Sequence, residues 1–228
     1  MSNIENLQEQ NIDQKLVSGQ DIAETVLALA DVAIKFAAVE RVPRYIEEKR
    51  ENNAEHSFML GLIATELSER YFPLLDGNLV TRFALVHDLT ELVTGDVATF
   101  NISEADYEAK KINEEVALDM LCDILPEYTA SLLLEYEKQV IPEARFVRFV
   151  DKLLPVAVDI LGPGSKVMHE DYDTFNHEQL AASENKLRLR MLSMFPEPEF
   201  ECIHEGRTNL SDLFESVFVE SSEQRKLF

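Results

Sequence analysis

The chain has 228 residues, 46% apolar and 28% charged, and its 43 acidic against 21 basic side chains give a net charge of −22. That balance argues against binding along a nucleic-acid polymer, which needs clustered Lys and Arg, and against an anionic membrane surface. It leaves room for a small phosphorylated ligand, since one or two local arginines suffice for that.

Helical spacing dominates the chain. Residues 1–20 are polar and read as a flexible segment. From Asp21, taken as an N-cap, the run DIAETVLALADVAIKFAAV is apolar at helical spacing, and Pro43 ends it. RVPRYIEEKRENN reads as a polar loop. AEHSFMLGLIATELSERYF is a second helix, with Phe58, Leu60, Leu62, Ile63 and Leu67 on an apolar face. NLVTRFALVHDLTELVTGD is a third, stopped at Gly95. A long amphipathic helix over EADYEAKKINEEVALDMLCDIL ends at Pro126, and EYTASLLLEYEKQ begins the next. PEARFVRFVDKLLPVAVDIL is a further helix that Pro155 should kink, with Phe146, Phe149, Val150 and Leu153 in the core. HEQLAASENKLRLRMLSMF is another. In the acidic tail, residues 196–228, LSDLFESVFV suggests a short helix packed on the core. Alternating strand patterns are scarce and no repeat of 20 to 50 residues is visible. The expected fold class is all-α, with the helical core over residues 21–195.

Cys122 and Cys202 form no CxxC pair and no disulfide framework, which suits a reducing compartment. The start MSNIENLQEQNIDQKL has no apolar leader, and FALV and LLPVAVDIL are too short to span a bilayer. A soluble, cytoplasmic protein is expected.

The candidate chemistry lies where histidines and acids interrupt apolar helices, because a charge there is costly unless paired or coordinated. His56 opens the second helix, His87 and Asp88 lie in HDLTELVTGD, and Asp151 interrupts FVRFV and LLPVAV. Two imidazoles and two carboxylates make a plausible mixed N/O site for a divalent cation. Glu91 follows His87 by four positions and Asp88 by three, so all three share a helix face. Taken singly, each residue has a plainer reading. His87 with Asp88 is a structural hydrogen bond, Asp151 with Lys152 and Arg148 a surface ion pair, and His56 after Glu55 a helix-start contact. His169, His177 and His204 read as solvated surface residues.

The ordered set RENNAEHS, HDLTELVTGD and a later apolar helix with a lone Asp resembles the HD-domain metal-dependent phosphohydrolases. The likeness is to the branch of bacterial 5'-deoxynucleotidases and their eukaryotic relatives, and it covers roughly residues 25 to 160. The family pattern H…HD…D falls on His56, His87, Asp88 and Asp151. The branch's motif arginine falls in RVPR, on Arg41 or Arg44. The ENxxEHS box falls on Glu51 to Ser57, and HDxxExxxGD carries Glu91 and Asp96. The resemblance implies an HD-domain helical bundle, usually a homodimer, holding one divalent cation (Mn, Co, Mg, Ni, Fe or Zn). The implied reaction is hydrolysis of a nucleoside 5'-monophosphate to nucleoside and phosphate. In it Arg41 neutralises the phosphate, Glu91 handles the proton, and Asp96 contacts the sugar or steadies the water network. Relatives of the bacterial type carry a Trp after the motif arginine, where it favours deoxyribose. Here Val42 follows Arg41 and the chain has no Trp, which leaves the sugar preference open.

Two rivals stand beside this. One is an HD hydrolase acting on a cyclic, triphosphate or signalling nucleotide, disfavoured by the few basic residues near the motifs. The other is a non-catalytic metal-binding module, disfavoured by Glu91 and Asp96, which a structural site needs not at all.

Overall fold

Small polar side chains set where the helices begin. In this computed structural model, which describes residues 17–98, 100 and 102–220, α1 (Gly19–Phe36) is capped by Ser18 and not by Asp21. Asp21 instead closes the capping box from inside the first turn, its side chain accepting from the Ser18 backbone. The first 16 positions of the expected flexible segment lie outside the described residues.

The stretch expected to be a polar loop forms the one sheet among the described residues. Strands β1 (Glu40–Arg44) and β2 (Arg50–Asn52) pair antiparallel, with a register shift between Glu40 and Arg44. Pro43 is tolerated because such a two-stranded hairpin has free edges on both sides. The strand β2 runs straight into α2 (Asn53–Tyr71). Asn52 caps that helix through Glu55 N at 3.0 Å, and Glu55 returns the bond to Asn52 N. Such caps contribute about 1 kcal/mol each. On α2 Leu60 is fully buried, but Phe58 and Leu62 are exposed, so the apolar face is narrower than the sequence suggested.

The third expected helix is broken. α3 (Gly77–Val86) stops before His87, residues 87–90 form a turn, and α4 (Glu91–Thr94) is a single helical turn. The chain then continues through α5 (Glu104–Cys122), α6 (Glu127–Glu137), α7 (Pro142–Asp151) and α8 (Leu154–Leu161). The expected kinked helix is thus two helices parted at Lys152 and Leu153, with Pro155 in the first turn of α8. A proline there forfeits no hydrogen bond. α9 (Gly164–Asp171) is a helix that the sequence reading passed over. α10 (His177–Met194) follows, and the tail forms α11 (Glu201–Val217), longer than the short helix expected.

The fold is all-α apart from the hairpin. Helices α2, α3, α6 and α7 share the main core, where Phe83, Phe146 and Phe149 are wholly buried. Phe149 stacks on Phe195 with ring centroids 4.5 Å apart, which ties the end of α10 to α7. A smaller cluster of Val156, Met168, Leu180, Phe214 and Phe218 joins α8 through α11. The turn between α8 and α9 lies so close to β1 that a Cβ on Gly162 would sit 2.3 Å from the Arg44 carbonyl oxygen. The hairpin is therefore clamped between the two clusters. No described helix is long and apolar enough to cross a membrane.

Candidate metal centre and cleft

Three separate elements deliver the four candidate ligands to one point. α2 brings His56, the break after α3 brings His87 and Asp88, and the last residue of α7 brings Asp151. One donor atom from each lies within 4.8 Å of all the others. His56 Nε2 is 2.8 Å from Asp151 Oδ1, and His87 Nε2 is 2.9 Å from Asp88 Oδ2. All but Asp88 are buried, so none is a surface ion pair or a loose helix-start contact.

The other nitrogen of each imidazole is already occupied. His87 Nδ1 lies 3.0 Å from the Ala84 carbonyl oxygen and His56 Nδ1 3.3 Å from Glu51 Oε1. Both acceptors place a proton on Nδ1, which leaves each Nε2 to face the common point. That is the orientation a metal-binding histidine takes. His87 Nε2 is buried and makes no hydrogen bond of acceptable geometry among the described residues. An orphaned imidazole nitrogen beside two carboxylates, on a pivot of four converging donors, fits a divalent cation. Burial pulls the His56 imidazole down, but Asp151 and Glu51 outweigh it and hold its pKa up at about 9. Burial pushes Asp151 up, yet Lys152 and the two imidazoles hold it well below the usual carboxylate range.

Beside the quartet lies a buried arginine, and the structure separates the two candidates. Arg41 Nη1 donates to Asp88 Oδ2 at 2.8 Å and lies 3.4 Å from Glu91 Oε2 and 3.8 Å from Asp96 Oδ1. Arg44, three positions on, turns the opposite way and holds Glu170 at 2.7 Å and Asp171 at 2.5 Å on α9. Asn53 connects the pieces: its Nδ2 donates to Glu91 Oε2 at 2.9 Å, while its Oδ1 accepts from Arg41 at 3.2 Å. Glu51 and Asn53 carry no assignment in the sequence reading, although both lie in its ENxxEHS box. Glu51 is a fixed position of that motif and was signalled by it, whereas Asn53 falls on one of its variable positions and only its contacts with Glu91 and Arg41 give it a task.

Glu91 opens α4, so it shares no continuous helix with His87 and Asp88 but reaches the same cleft across the turn. Burial, with Asp88 and Asp96 nearby, pushes its carboxyl up to about 8 against Arg41 and Lys110. Gly95 ends α4 at φ 72°, a conformation that costs glycine little, and returns the chain so that Asp96 faces Arg41. Burial also raises Asp96. Val42 is half-buried and lines the cleft together with Arg41 and Asp96.

The cleft has a volume of about 210 Å³ and gathers more cations than the motifs suggested: Lys110, Lys111, Arg148, Lys152, Arg190 and Arg207 come from distant segments. Most are spent on neighbours. Lys110 lies 3.4 Å from Glu114 and 3.6 Å from Glu91, and Arg148 holds Glu137 at 3.1 Å. Lys152 holds Asp151 at 2.7 Å and Arg207 holds Glu184 at 2.7 Å. The other histidines stand apart from the cleft chemistry, but two are not solvated. His204 Nε2 donates to the Phe195 carbonyl oxygen at 2.9 Å and packs on Phe149, and the half-buried His169 packs on Phe175 and Phe218. His177 is exposed.

Comparison with known proteins agrees with this geometry. A solved structure, a predicted metal-dependent phosphohydrolase from Magnetospirillum magnetotacticum, superposes with a TM-score of 0.64 over 90% of this chain and 100% of its own, at 22% identity. That likeness is one of fold. A 5'-deoxynucleotidase of Xenopus laevis is 33% identical over 124 residues, 50% of this chain and 59% of its own length. One from Schizosaccharomyces pombe is 28% identical over 118 residues, 48% of this chain and 57% of its own. The chain thus spans somewhat over half the length of these relatives. One from Yersinia pestis is 27% identical over 195 residues, 82% of this chain and 88% of its own. The HD domain matches residues 36–192, which include every candidate ligand and the arginine beside them. The chain belongs to the HD-domain family.

Proposed function

We propose that this protein is a metal-dependent phosphomonoesterase that hydrolyses nucleoside 5'-monophosphates to nucleoside and phosphate. The observation that carries the reading is the convergence of the four donor atoms within 4.8 Å, with Arg41 and Glu91 at its edge. His56, His87, Asp88 and Asp151 would hold one divalent cation, drawn from Mn, Co, Mg, Ni, Fe or Zn. Such a cation supplies Lewis-acid activation of water and of the phosphoryl oxygen.

The chain's own residues do the rest. Arg41 offers a rigid planar donor to the phosphate as charge builds on it, exchanging some of its carboxylate contacts for phosphate oxygens. Glu91, pushed up to about 8, exchanges a proton near neutral pH, either taking it from the attacking water or giving it to the leaving oxygen. Asn53 holds Glu91 and Arg41 in register. Asp96 accepts a hydrogen bond from a sugar hydroxyl, and Val42 faces the sugar.

A longer phosphate chain is less well served. Eight carboxylates line the cleft against seven Lys and Arg side chains. Most of those cations are already held by neighbouring carboxylates, as Arg148 is by Glu137, Lys152 by Asp151 and Arg207 by Glu184, which leaves few to neutralise a triphosphate. The names of the relatives, 5'-deoxynucleotidases, support the same substrate class. The reading also includes a cytoplasmic homodimer. Exposed apolar stripes, Ile22 and Val26 on α1 and Ile112, Val116 and Met120 on α5, support self-association.

The deciding experiment is a phosphate-release screen over nucleotides with several divalent ions. Turnover of monophosphates and not of triphosphates or cyclic nucleotides is expected. Valine leaves room for a 2'-hydroxyl, so ribo- and deoxyribonucleotides should differ in kcat/KM by no more than about 10²-fold. Val42→Trp should shift the ratio toward deoxyribose with metal content unchanged. A wild type that already rejects ribose far more strongly would place sugar selection elsewhere.

A further inference from the structure

One buried acid serves both the candidate ligands and the arginine beside them without entering the cleft. Glu51, the middle residue of β2, is wholly buried and is not among the residues that line the cleft. It therefore has no route to a substrate and can act only through its neighbours. Two backbone devices fix it. Glu40 pairs with Asn52 across the hairpin, which sets Arg41 and Glu51 beside each other. The capping box at Asn52 then fixes the start of α2, with His56 five residues after Glu51. Glu51 Oε1 lies 3.3 Å from His56 Nδ1 and accepts from the Tyr45 hydroxyl at 3.3 Å. Its Oε2 is buried with no hydrogen-bond partner among the described residues. That oxygen faces Arg41 Nε at 3.9 Å, and the Nε is likewise buried and unpartnered.

A carboxylate removed from water is costly unless donors or a cation compensate it. Here the compensation is divided: the imidazole and the phenol serve one oxygen, and the guanidinium faces the other. A separation of 3.9 Å is too long for a hydrogen bond, yet charges attract strongly at that range away from water. Burial and the charge of Glu51 both push the Tyr45 hydroxyl up, so it stays a donor. On the imidazole side, a carboxylate at Nδ1 fixes the ring and makes Nε2 the better electron-pair donor. On the guanidinium side, attraction at Nε leaves Nη1 aimed at Asp88 and Glu91, toward the cleft. We propose that Glu51 is a positioning residue that holds the metal ligand His56 and the phosphate arginine Arg41 at one fixed separation, with Tyr45 steadying its carboxylate. A phosphate that bridges an ion and an arginine needs both within about 0.5 Å of their places. This rests on the metal-dependent monophosphatase reading and adds to it a residue that never meets the substrate.

The test uses Glu51→Gln, which keeps the shape of the side chain and removes its charge. Co²⁺ binding, followed by calorimetry and by the visible absorption of the ion, should weaken by about 10- to 100-fold, the usual cost of losing such a partner of a metal-bound histidine. Inorganic phosphate is then titrated into wild type, Arg41→Ala, Glu51→Gln and the double variant, each saturated with Co²⁺. The loss caused by Arg41→Ala should shrink by about threefold or more in the Glu51→Gln background, because the arginine there is no longer held. A merely structural role would lower thermal stability and leave the two losses independent. If Glu51→Gln does not fold, Tyr45→Phe takes its place in both measurements. That variant leaves the charge and frees Oε1, and should weaken Co²⁺ binding by about two- to tenfold, the worth of one hydrogen bond. Unchanged Co²⁺ affinity, or phosphate losses that simply multiply, would overturn the proposal. Absence of hydrolysis of any nucleoside monophosphate would overturn the proposed activity instead, and both binding measurements would still decide on Glu51.

Discussion

Asp151 and Asp159 lie eight positions apart on consecutive helices, both buried and both lining one cleft, yet they end in opposite states. Burial pushes each upward. At Asp151 it is overcome by Lys152 at 2.7 Å and His56 at 2.8 Å, with His87 beyond, so the group stays a carboxylate. At Asp159 nothing opposes it, and the group rises to about 7. Burial alone therefore says little about what an acid does; its partners decide whether it stays charged or takes up a proton.

The contrast breaks most completely if the metal end is dismantled. About one divalent ion per chain is expected by elemental analysis, and chelation should abolish phosphate release that Mn, Co or Mg restores. His87→Ala and Asp151→Ala should lose ion and turnover together. Full activity after exhaustive chelation would sink the site.

Next in size is Glu91→Ala, which should retain the ion and the fold while kcat falls by about 10²- to 10⁴-fold. Loss of the ion from this variant would make Glu91 a ligand. The two strand arginines sharpen the division between chemistry and scaffold. Arg41→Ala removes the donor aimed at the phosphate and should lower kcat/KM by about 10²- to 10³-fold. Arg44→Ala releases Glu170 and Asp171 on α9. It should leave turnover near wild type and cost about 1 kcal/mol of stability, read from denaturant midpoints, because Glu170 is half exposed and solvent screens that pair.

A pH-dependent effect bears on Asp159 itself. Its pKa rises from 3.8 to about 7 on folding, so the folded state binds the proton more tightly. The associated stability is fully present below the unfolded value and is lost as pH climbs from about 4 through 7. Asp159→Asn carries no such proton. Its stability relative to wild type should therefore grow over that range, by at most a few kcal/mol, on the order of 1.4 per pKa unit. Thermal denaturation of both chains at pH 5 and pH 8 measures this, and a gap that does not change with pH would refute it.

Much of the site could be read from the residues because its ligands sit in short motifs on strongly patterned helices. His56, His87, Asp88 and Asp151 each interrupt an apolar run, and a polar group in such a run needs a partner. What escaped notice depended on places where local pattern and backbone path part. RVPRYIEEKRENN is polar enough to read as a loop, yet it pairs into a hairpin because the clamp between the two hydrophobic clusters holds its strands together. HDLTELVTGD has helical periodicity throughout, but the turn at residues 87–90 interrupts it, so that Glu91 opens a separate helical turn.

By itself the sequence determined the helical class, the positions of most helices and which buried polar residues could hold a metal, through periodicity and residue chemistry that act over a few neighbours; the motif arginine came from the resemblance to the family pattern. The tertiary structure alone decided that Arg41 and not Arg44 faces the carboxylates. Residues three apart on a strand point to opposite faces, and only the packing of α9 and the HD turn shows which face is the cleft. It decided likewise that Lys110, Lys152 and Arg148 are neutralised by neighbours, and that Asp159 is left without a partner. Each of these depends on which segments meet across the core, and no local pattern carries that information.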